Sequence, residues 1–182
     1  MKSKLTKMDI KIRKAEPCDI DGCEAVYNKI LDSEERGEST VGWKRGIYPT
    51  RETALGALSR GELFVGEYDG RIVGCAIFNK TQVDVYEGAP WRYDADADEV
   101  MVMHTLVVSP DSGKRGIGRA FEEFYEKYAL ENGCRFLRID TNERNANARA
   151  FYKKLGYEEI SVVPCKFNGL DDVCLVLLEK RL

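Results

Sequence analysis

The residues best equipped for chemistry stand together in the run Leu106-Val107-Val108-Ser109-Pro110-Asp111-Ser112-Gly113-Lys114-Arg115-Gly116-Ile117-Gly118-Arg119. An apolar stretch ends at Pro110, a turn rich in Gly, Lys and Arg follows, and an amphipathic segment begins at Ile117. A strand–turn–helix of this kind aims backbone N–H groups, the positive end of a helix dipole and the side chains of Lys114, Arg115 and Arg119 at one point. The ligand suited to that point is an anion, most often a phosphate. Spacing excludes two common phosphate loops. A Walker loop needs G-x-x-x-x-G-K-[ST], and here Gly118 is followed by Arg119 and Ala120. A dinucleotide fingerprint needs a third small residue after G-x-G, where this chain has Phe121. What remains is Gly116-x-Gly118 directly after a strand and a basic turn.

That form resembles the acetyl-CoA loop of the Gcn5-related N-acetyltransferase (GNAT) family, in which R/Q-x-x-G-x-G/A cradles a pyrophosphate. A second segment supports the resemblance. Asn145-Ala146-Asn147-Ala148-Arg149-Ala150-Phe151-Tyr152-Lys153-Lys154-Leu155-Gly156-Tyr157 fits the family's late motif N-x-x-A-x-x-[LF]-Y-x-K-x-G-[FY] at every defined position. The two motifs occur in the family's order, with a helix and a strand between them. The close likeness runs from Val100 to Tyr157, and the rest follows in outline. One departure is that Gly113 stands where the family has Arg or Gln.

The resemblance implies a reaction: acetyl-CoA gives its acetyl group to an amine in a ternary complex, with no metal and no covalent enzyme intermediate. Acyl transfer of this kind needs an anchored cofactor, a deprotonated amine, a polarised carbonyl and a stabilised thiolate. Anchoring falls to Gly113, Lys114, Arg115, Gly116, Ile117, Gly118 and Arg119. The resemblance adds the backbone of Leu106, Val107 and Val108 along the pantetheine arm. Asn145 either caps the helix that follows it or contacts the cofactor. Tyr152 is the general acid for the thiolate that the resemblance implies; by periodicity alone it reads as a core tyrosine. An ammonium has a pKa near 10.4, so an ordinary carboxylate needs desolvation or a water to act as its base. Three residues are candidates, in this order: Glu99 at the start of a strand, Asp140 at the end of the next strand, and His104, whose unperturbed pKa suits base work.

The elements that must position these groups follow from periodicity. Alternation marks a strand over residues 9–14. Pro17-Cys18-Asp19 opens a helix with Ile20, Cys23, Val26, Tyr27, Ile30 and Leu31 on one face. Residues 32–49 read as a polar loop carrying Trp43, Tyr48 and Pro49, and Thr50 caps a short helix reaching Ser59. Strands over 63–68 and 71–82 flank the tight turn Asp69-Gly70. Residues 84–98 are irregular, aromatic and acidic. The apolar run 99–108 suits a central strand covered on both faces. Ile117, Phe121, Phe124, Tyr125 and Tyr128 form a helical stripe ended by Asn132-Gly133. A strand over 136–140, a helix ended by Gly156, and strands over 157–163 and 173–178 complete the order β-α-α-β-β-β-α-β-α-β-β. The order gives the fold class α/β (α+β), and the resemblance implies a GNAT-like mixed, mostly antiparallel sheet flanked by helices. The acceptor site would come from the loops at 32–49, 83–98 and 164–172. There the aromatics Trp43, Tyr48, Trp91 and Tyr93 either wall a pocket or pin loops, and Asp94, Asp96, Asp98 and Glu99 either attract an amine or form a solvated face.

Composition bounds the rest. A chain of 182 residues with 43% hydrophobic and 32% charged residues fits one soluble domain spanning 1–182, with 1–8 as a flexible lead-in. A net charge of −3 argues against nucleic acid as a partner. No apolar run is long enough to cross a membrane, and the basic start lacks a signal-peptide core. Six cysteines include no C-x-x-C pair, and one histidine is too few for a usual zinc set. Free thiols of this kind suit reducing cytoplasm. The expected partners are acetyl-CoA and a small-molecule or amino-acid-like amine; the resemblance also admits a homodimer. Two alternatives stay open: a non-catalytic acetyl-CoA sensor on the same fold, and acetylation of proteins or peptides.

Overall fold

The computed structural model describes residues 10–112 and 115–182. The proposed lead-in and two residues of the phosphate turn, Gly113 and Lys114, lie outside the described residues. Seven strands and four helices alternate in the expected order: β1 (Lys11–Lys14), α1 (Ile20–Glu35), α2 (Arg51–Ser59), β2 (Leu63–Tyr68), β3 (Arg71–Asn79), β4 (Val100–Val108), α3 (Ile117–Glu131), β5 (Phe136–Asn142), α4 (Ala146–Lys154), β6 (Glu158–Phe167) and β7 (Leu170–Arg181). They form one sheet of order β1-β2-β3-β4-β5-β7-β6. Every neighbouring pair is antiparallel except β4 and β5.

Local chemistry explains the element ends. Thr50 and Thr53 form a reciprocal capping box at the start of α2. Asn145 caps α4, its side chain accepting from the Ala148 N–H at 3.1 Å. Asp69 and Gly70, both at positive φ, close the two-residue hairpin between β2 and β3. Asn168 and Gly169 do the same between β6 and β7. The last hairpin therefore runs far longer than the periodicity predicts. Residues 164–167 and 170–172 are strand rather than loop, because pairing along the hairpin overrides the weak alternation around Pro164. The other shifts are smaller. The first helix continues through Glu35, β3 ends at Asn79, and β4 begins at Val100.

The sheet is covered on both faces. On one, α1 and α2 bury Ile20, Cys23, Val26, Tyr27, Ala54 and Ala57 against Leu63, Val65, Cys75 and Ile77. On the other, α3 and α4 lie over Phe64, Ala76, Phe78, Met101 and Met103. Alternate residues of β4 enter different cores, which is what its unbroken apolar run requires. α3 approaches closely because Gly66 and Gly74 have no side chain. A Cβ at either would sit 2.9 Å from the Phe121 ring.

The 80–99 segment covers the remaining part of the sheet. Trp91 donates its indole N–H to the Tyr86 carbonyl at 3.0 Å and lies under the Arg138 guanidinium, 4.1 Å from the ring centroid. Arg138 pairs with Glu179 on β7 at 3.0 Å, and both are buried. Glu179 also accepts from the backbone N–H groups of Arg92 and Tyr93 at 3.0 and 3.3 Å. The aromatics Trp91 and Tyr93 thus pin a loop, one of the two roles left open by the sequence. Replacing Arg138 by Met should leave a buried, uncompensated carboxylate and cost about 3–5 kcal/mol of folding stability. Urea denaturation measures this, and a loss under about 1 kcal/mol would refute the structural role of the pair.

Candidate active site

β4 and β5 pair only from Val100–Phe136 to Val102–Arg138 and then part. β5 stays paired to β7 as far as Asn142. β4 stays paired to β3, but through a bulge: Thr105 and Leu106 face Ala76 between the pairs Ile77–His104 and Cys75–Val107. Thr105 sits there at φ +51°, costly for a β-branched residue and held only by the structure around it. The β5-facing backbone of β4 beyond Val102 therefore has no neighbouring strand.

A cavity of about 380 Å³ occupies this opening. It takes His104, Thr105 and Leu106 from β4, Asp140, Thr141 and Asn142 from β5, and Asn145, Ala148 and Tyr152 from the start and inner face of α4. The 36–50 segment closes it with Trp43 and Tyr48, whose rings meet edge to face at 5.8 Å. The Tyr48–Pro49 peptide is cis, and the Tyr48 hydroxyl hydrogen-bonds Thr105 Oγ1. Glu34 at the end of α1 fixes this segment by accepting from the Val41 and Gly42 N–H groups at 2.9 and 3.1 Å.

The titratable groups in the cavity are shifted in different directions. Asp140 accepts from the Tyr86 hydroxyl at 2.8 Å, yet burial outweighs that bond and raises its carboxyl from 3.8 to about 6. Burial lowers His104 to about 4, so its ring is neutral at neutral pH. Its tautomer follows from its partner. Asn79 donates through Nδ2 to Glu62 at 3.1 Å and accepts at Oδ1 from the Thr81 N–H at 2.9 Å. Nε2 of His104, 2.9 Å from Oδ1, must then carry the proton. Burial, with Glu122 and Asp140 nearby, holds the Tyr152 hydroxyl well above the ordinary tyrosine range and keeps it protonated.

Of the four catalytic candidates, Tyr152, Asp140 and His104 line one cavity. Glu99 does not; it ends a short 3-10 turn (Ala97–Glu99) before β4, four residues or more from the bulge side of the strand. Asp94, Asp96 and Asp98 do not line it either. Of the cofactor candidates, Leu106 and Asn145 line the cavity, and Val107 is buried in the α1-side core. Gly116 is the left-handed N-cap of α3 at φ +81°, with open space where a Cβ would point. Ile117 is buried, while Arg115 and Arg119 are exposed beside the helix start. Gly118 lets the Phe151 ring close against that start, 3.2 Å from an added Cβ. The sequence offered no sign of Thr105, which is hidden inside an apolar run, nor of Tyr86 or Asn79, whose roles come from partners distant in the chain.

Residues 25–157 match the acetyltransferase (GNAT) family, and the chain belongs to that family. It is similar to an uncharacterized N-acetyltransferase of Methanocaldococcus jannaschii, 33% identical over 100 residues covering 55% of this chain and 40% of that protein. A second uncharacterized N-acetyltransferase, from Bacillus subtilis, is 32% identical over 60 residues, 33% of this chain and 40% of that one. The matched segments thus span well under half the length of these curated relatives. Among solved structures, a GNAT-family acetyltransferase from Streptococcus agalactiae superposes with a TM-score of 0.75 at 24% identity, covering 96% of this chain and 97% of that one. A Salmonella typhimurium structure determined with its cofactor acetyl-CoA gives 0.64 at 17% identity, covering 95% and 94%. At such identities the likeness concerns the fold.

Because the folded pKa of Asp140 lies above its unfolded value, its protonated form is favoured by folding. That stability is complete below about pH 4 and is lost as pH rises through about 6. Relative to an Asp140→Asn variant, the native protein should lose on the order of 2–3 kcal/mol between pH 4 and pH 7. Denaturation curves across that range test it, and parallel pH profiles for the two proteins would contradict the burial of a titrating carboxyl.

Proposed function

We propose that this protein is an acetyl-CoA-dependent N-acetyltransferase that acetylates the primary amine of a small acceptor by direct transfer, as one domain working in the cytoplasm. One observation carries the proposal: the opening between β4 and β5 brings Leu106 of the first motif region and Asn145, Ala148 and Tyr152 of the second into one aromatic and polar cavity. A concave cavity of about 380 Å³ is of a size that suits a small acceptor. All six cysteines are free thiols, in keeping with a reducing compartment. Among the described residues no helix is long and apolar enough to cross a membrane.

The residues present fit the cofactor. The space in front of Gly116 and the first N–H groups of α3 suit a pyrophosphate, with Arg115 and Arg119 supplying charge. The unpaired edge of β4 at Leu106–Val108 offers backbone partners to an amide-bearing arm. When bound, acetyl-CoA supplies an activated carbonyl and a thiolate leaving group, and the acceptor nitrogen bonds the acetyl carbon as the carbon–sulfur bond breaks. Asp140 takes the proton the nitrogen loses, directly or through a water. Its raised pKa brings it closer to an ammonium than an ordinary carboxylate by about 3 kcal/mol. Tyr152 delivers a proton to the departing sulfur and recovers one from solvent. The same burial that raises the tyrosine also raises a thiol, which offsets part of the gap between them. His104 is neutral and donates to Asn79, which leaves it a positioning role.

Acetyl-CoA should bind in the micromolar range by calorimetry, and Gly116→Trp should abolish binding; no binding by the native protein would refute the proposal. Tyr152→Phe should lower kcat about a hundredfold or more while leaving acetyl-CoA affinity nearly unchanged. Unaltered turnover would remove Tyr152 from the mechanism. Because the base must be ionised, kcat/KM should fall as pH drops through about 6. Tyr86→Phe removes a hydrogen bond that favours the carboxylate, so it should move this limb to higher pH. A limb that does not move would assign it to another group.

A further inference from the structure

The acceptor side of the cavity carries opposite charges on different walls. Along α2, Glu52, Gly56 and Arg60 recur every fourth residue and present one face to the cavity. Arg60 is the only cation among the cavity's described lining residues. Its Nε donates to Glu62 at 2.8 Å, which holds the guanidinium from one side. No described residue accepts from its two Nη groups. Nη1 instead turns back over Gly56, where an added Cβ would lie 3.4 Å away. Gly56 costs helix stability of about 1 kcal/mol relative to alanine, and its missing side chain leaves that room.

Glu62 does not act alone. It also accepts from Asn79, which accepts from His104, so an ordered polar chain runs Arg60–Glu62–Asn79–His104 from just before β2, past the end of β3, to the middle of β4. The Arg60 Nη pair is the end left open, at the mouth of the cavity with its side chain 56% exposed. A planar pair of N–H donors, held from behind and facing a cavity, matches a carboxylate or a related oxyanion. The proposed base, Asp140, lies on β5, with β3 and β4 between it and the start of β2, where Arg60 and Glu62 stand. The two groups therefore address separate ends of one acceptor.

We infer that the acceptor is an amine bearing an oxyanion several bonds from its nitrogen, with the amine at Asp140 and the oxyanion on the Nη groups of Arg60. The inference rests on the N-acetyltransferase reading and narrows its substrate class. Arg60 sets specificity, Glu62 orients Arg60, and His104 and Asn79 brace Glu62. Glu52, on the same face of α2, repels an oxyanion, so the preference holds only where Arg60 outweighs it, and that balance is measurable.

The test compares acceptors of matched length and different tail charge: γ-aminobutyrate, δ-aminovalerate and ε-aminocaproate, each against the n-alkylamine and the α,ω-diamine of similar length. Acetyl-CoA binding is measured in parallel by calorimetry. The amino acids should exceed both amine series by about tenfold or more in kcat/KM. Arg60→Gln should erase that preference through KM, and Arg60→Lys, which keeps the charge without the fork, should restore part of it. Glu62→Leu, which leaves Arg60 intact but removes the acceptor that holds its Nε, should weaken the preference in the same direction. Diamines or alkylamines used as well as the acids would overturn the inference, as would a preference that survives Arg60→Gln. Acetyl-CoA binding without acetylation of any amino acid in the series would also overturn it while leaving the broader reading standing. Absence of acetyl-CoA binding would remove both.

Discussion

The site depends on two parallel strands that start as neighbours and then separate. β4 and β5 share a short ladder at Val100–Val102 and Phe136–Arg138, and past it each has a different partner on its outer side. Backbone N–H and C=O groups removed from a ladder must find other partners or stay solvated. The wedge between the strands is therefore a polar-edged slot inside an otherwise apolar sheet. The bulge at Thr105 bends β4 away from β5 and turns His104, Thr105 and Leu106 toward the slot. An extended arm with its own amides is the natural occupant of such an edge.

The fork is clamped where it begins. Arg138 is the last β5 residue in the ladder with β4, and its partner across to β7 is Glu179. Their ion pair is buried, so each charge depends on the other, on Trp91 and on the two N–H groups of the 92–93 segment. On the opposite face, Phe121 seats on Gly66 and Gly74 and brings the start of α3 up to the ends of β3 and β4. Glu34 holds the 41–42 backbone, and Tyr48 reaches from the same segment to Thr105. The slot is thus braced at its base, behind it and across its mouth.

Low polarity inside the slot then sorts the titratable groups. Asp140 and Tyr152 are both raised and His104 is lowered, because burial disfavours whichever form is charged. A carboxyl near 6 and a tyrosine that stays protonated are what the proposed base and acid require. Glu122, buried beside Tyr152 and Tyr157 and raised to about 7, extends the same effect behind the tyrosine.

Much of this was legible in the residues themselves. Element order, the Asp69-Gly70 turn, the caps at Thr50 and Asn145, and both motif segments follow from local preferences acting within a few residues. Glu99 shows the limit. By sequence it ranks ahead of Asp140 as a base, and only the point at which β4 parts from β5 separates the two, leaving Asp140 in the cavity and Glu99 outside it. Trp91 and Trp43 divide the same way, one beneath Arg138 and one on the cavity wall. The polar chain from Arg60 to His104 joins residues up to 44 positions apart by number. By itself the sequence determined the elements, their order and the cofactor motifs, because those are written in short-range periodicity and turn chemistry. Only the tertiary structure decided which carboxylate is buried, which histidine nitrogen holds the proton and which charged side chains share one cavity, because desolvation and hydrogen-bond partnership exist only once distant strands are packed together.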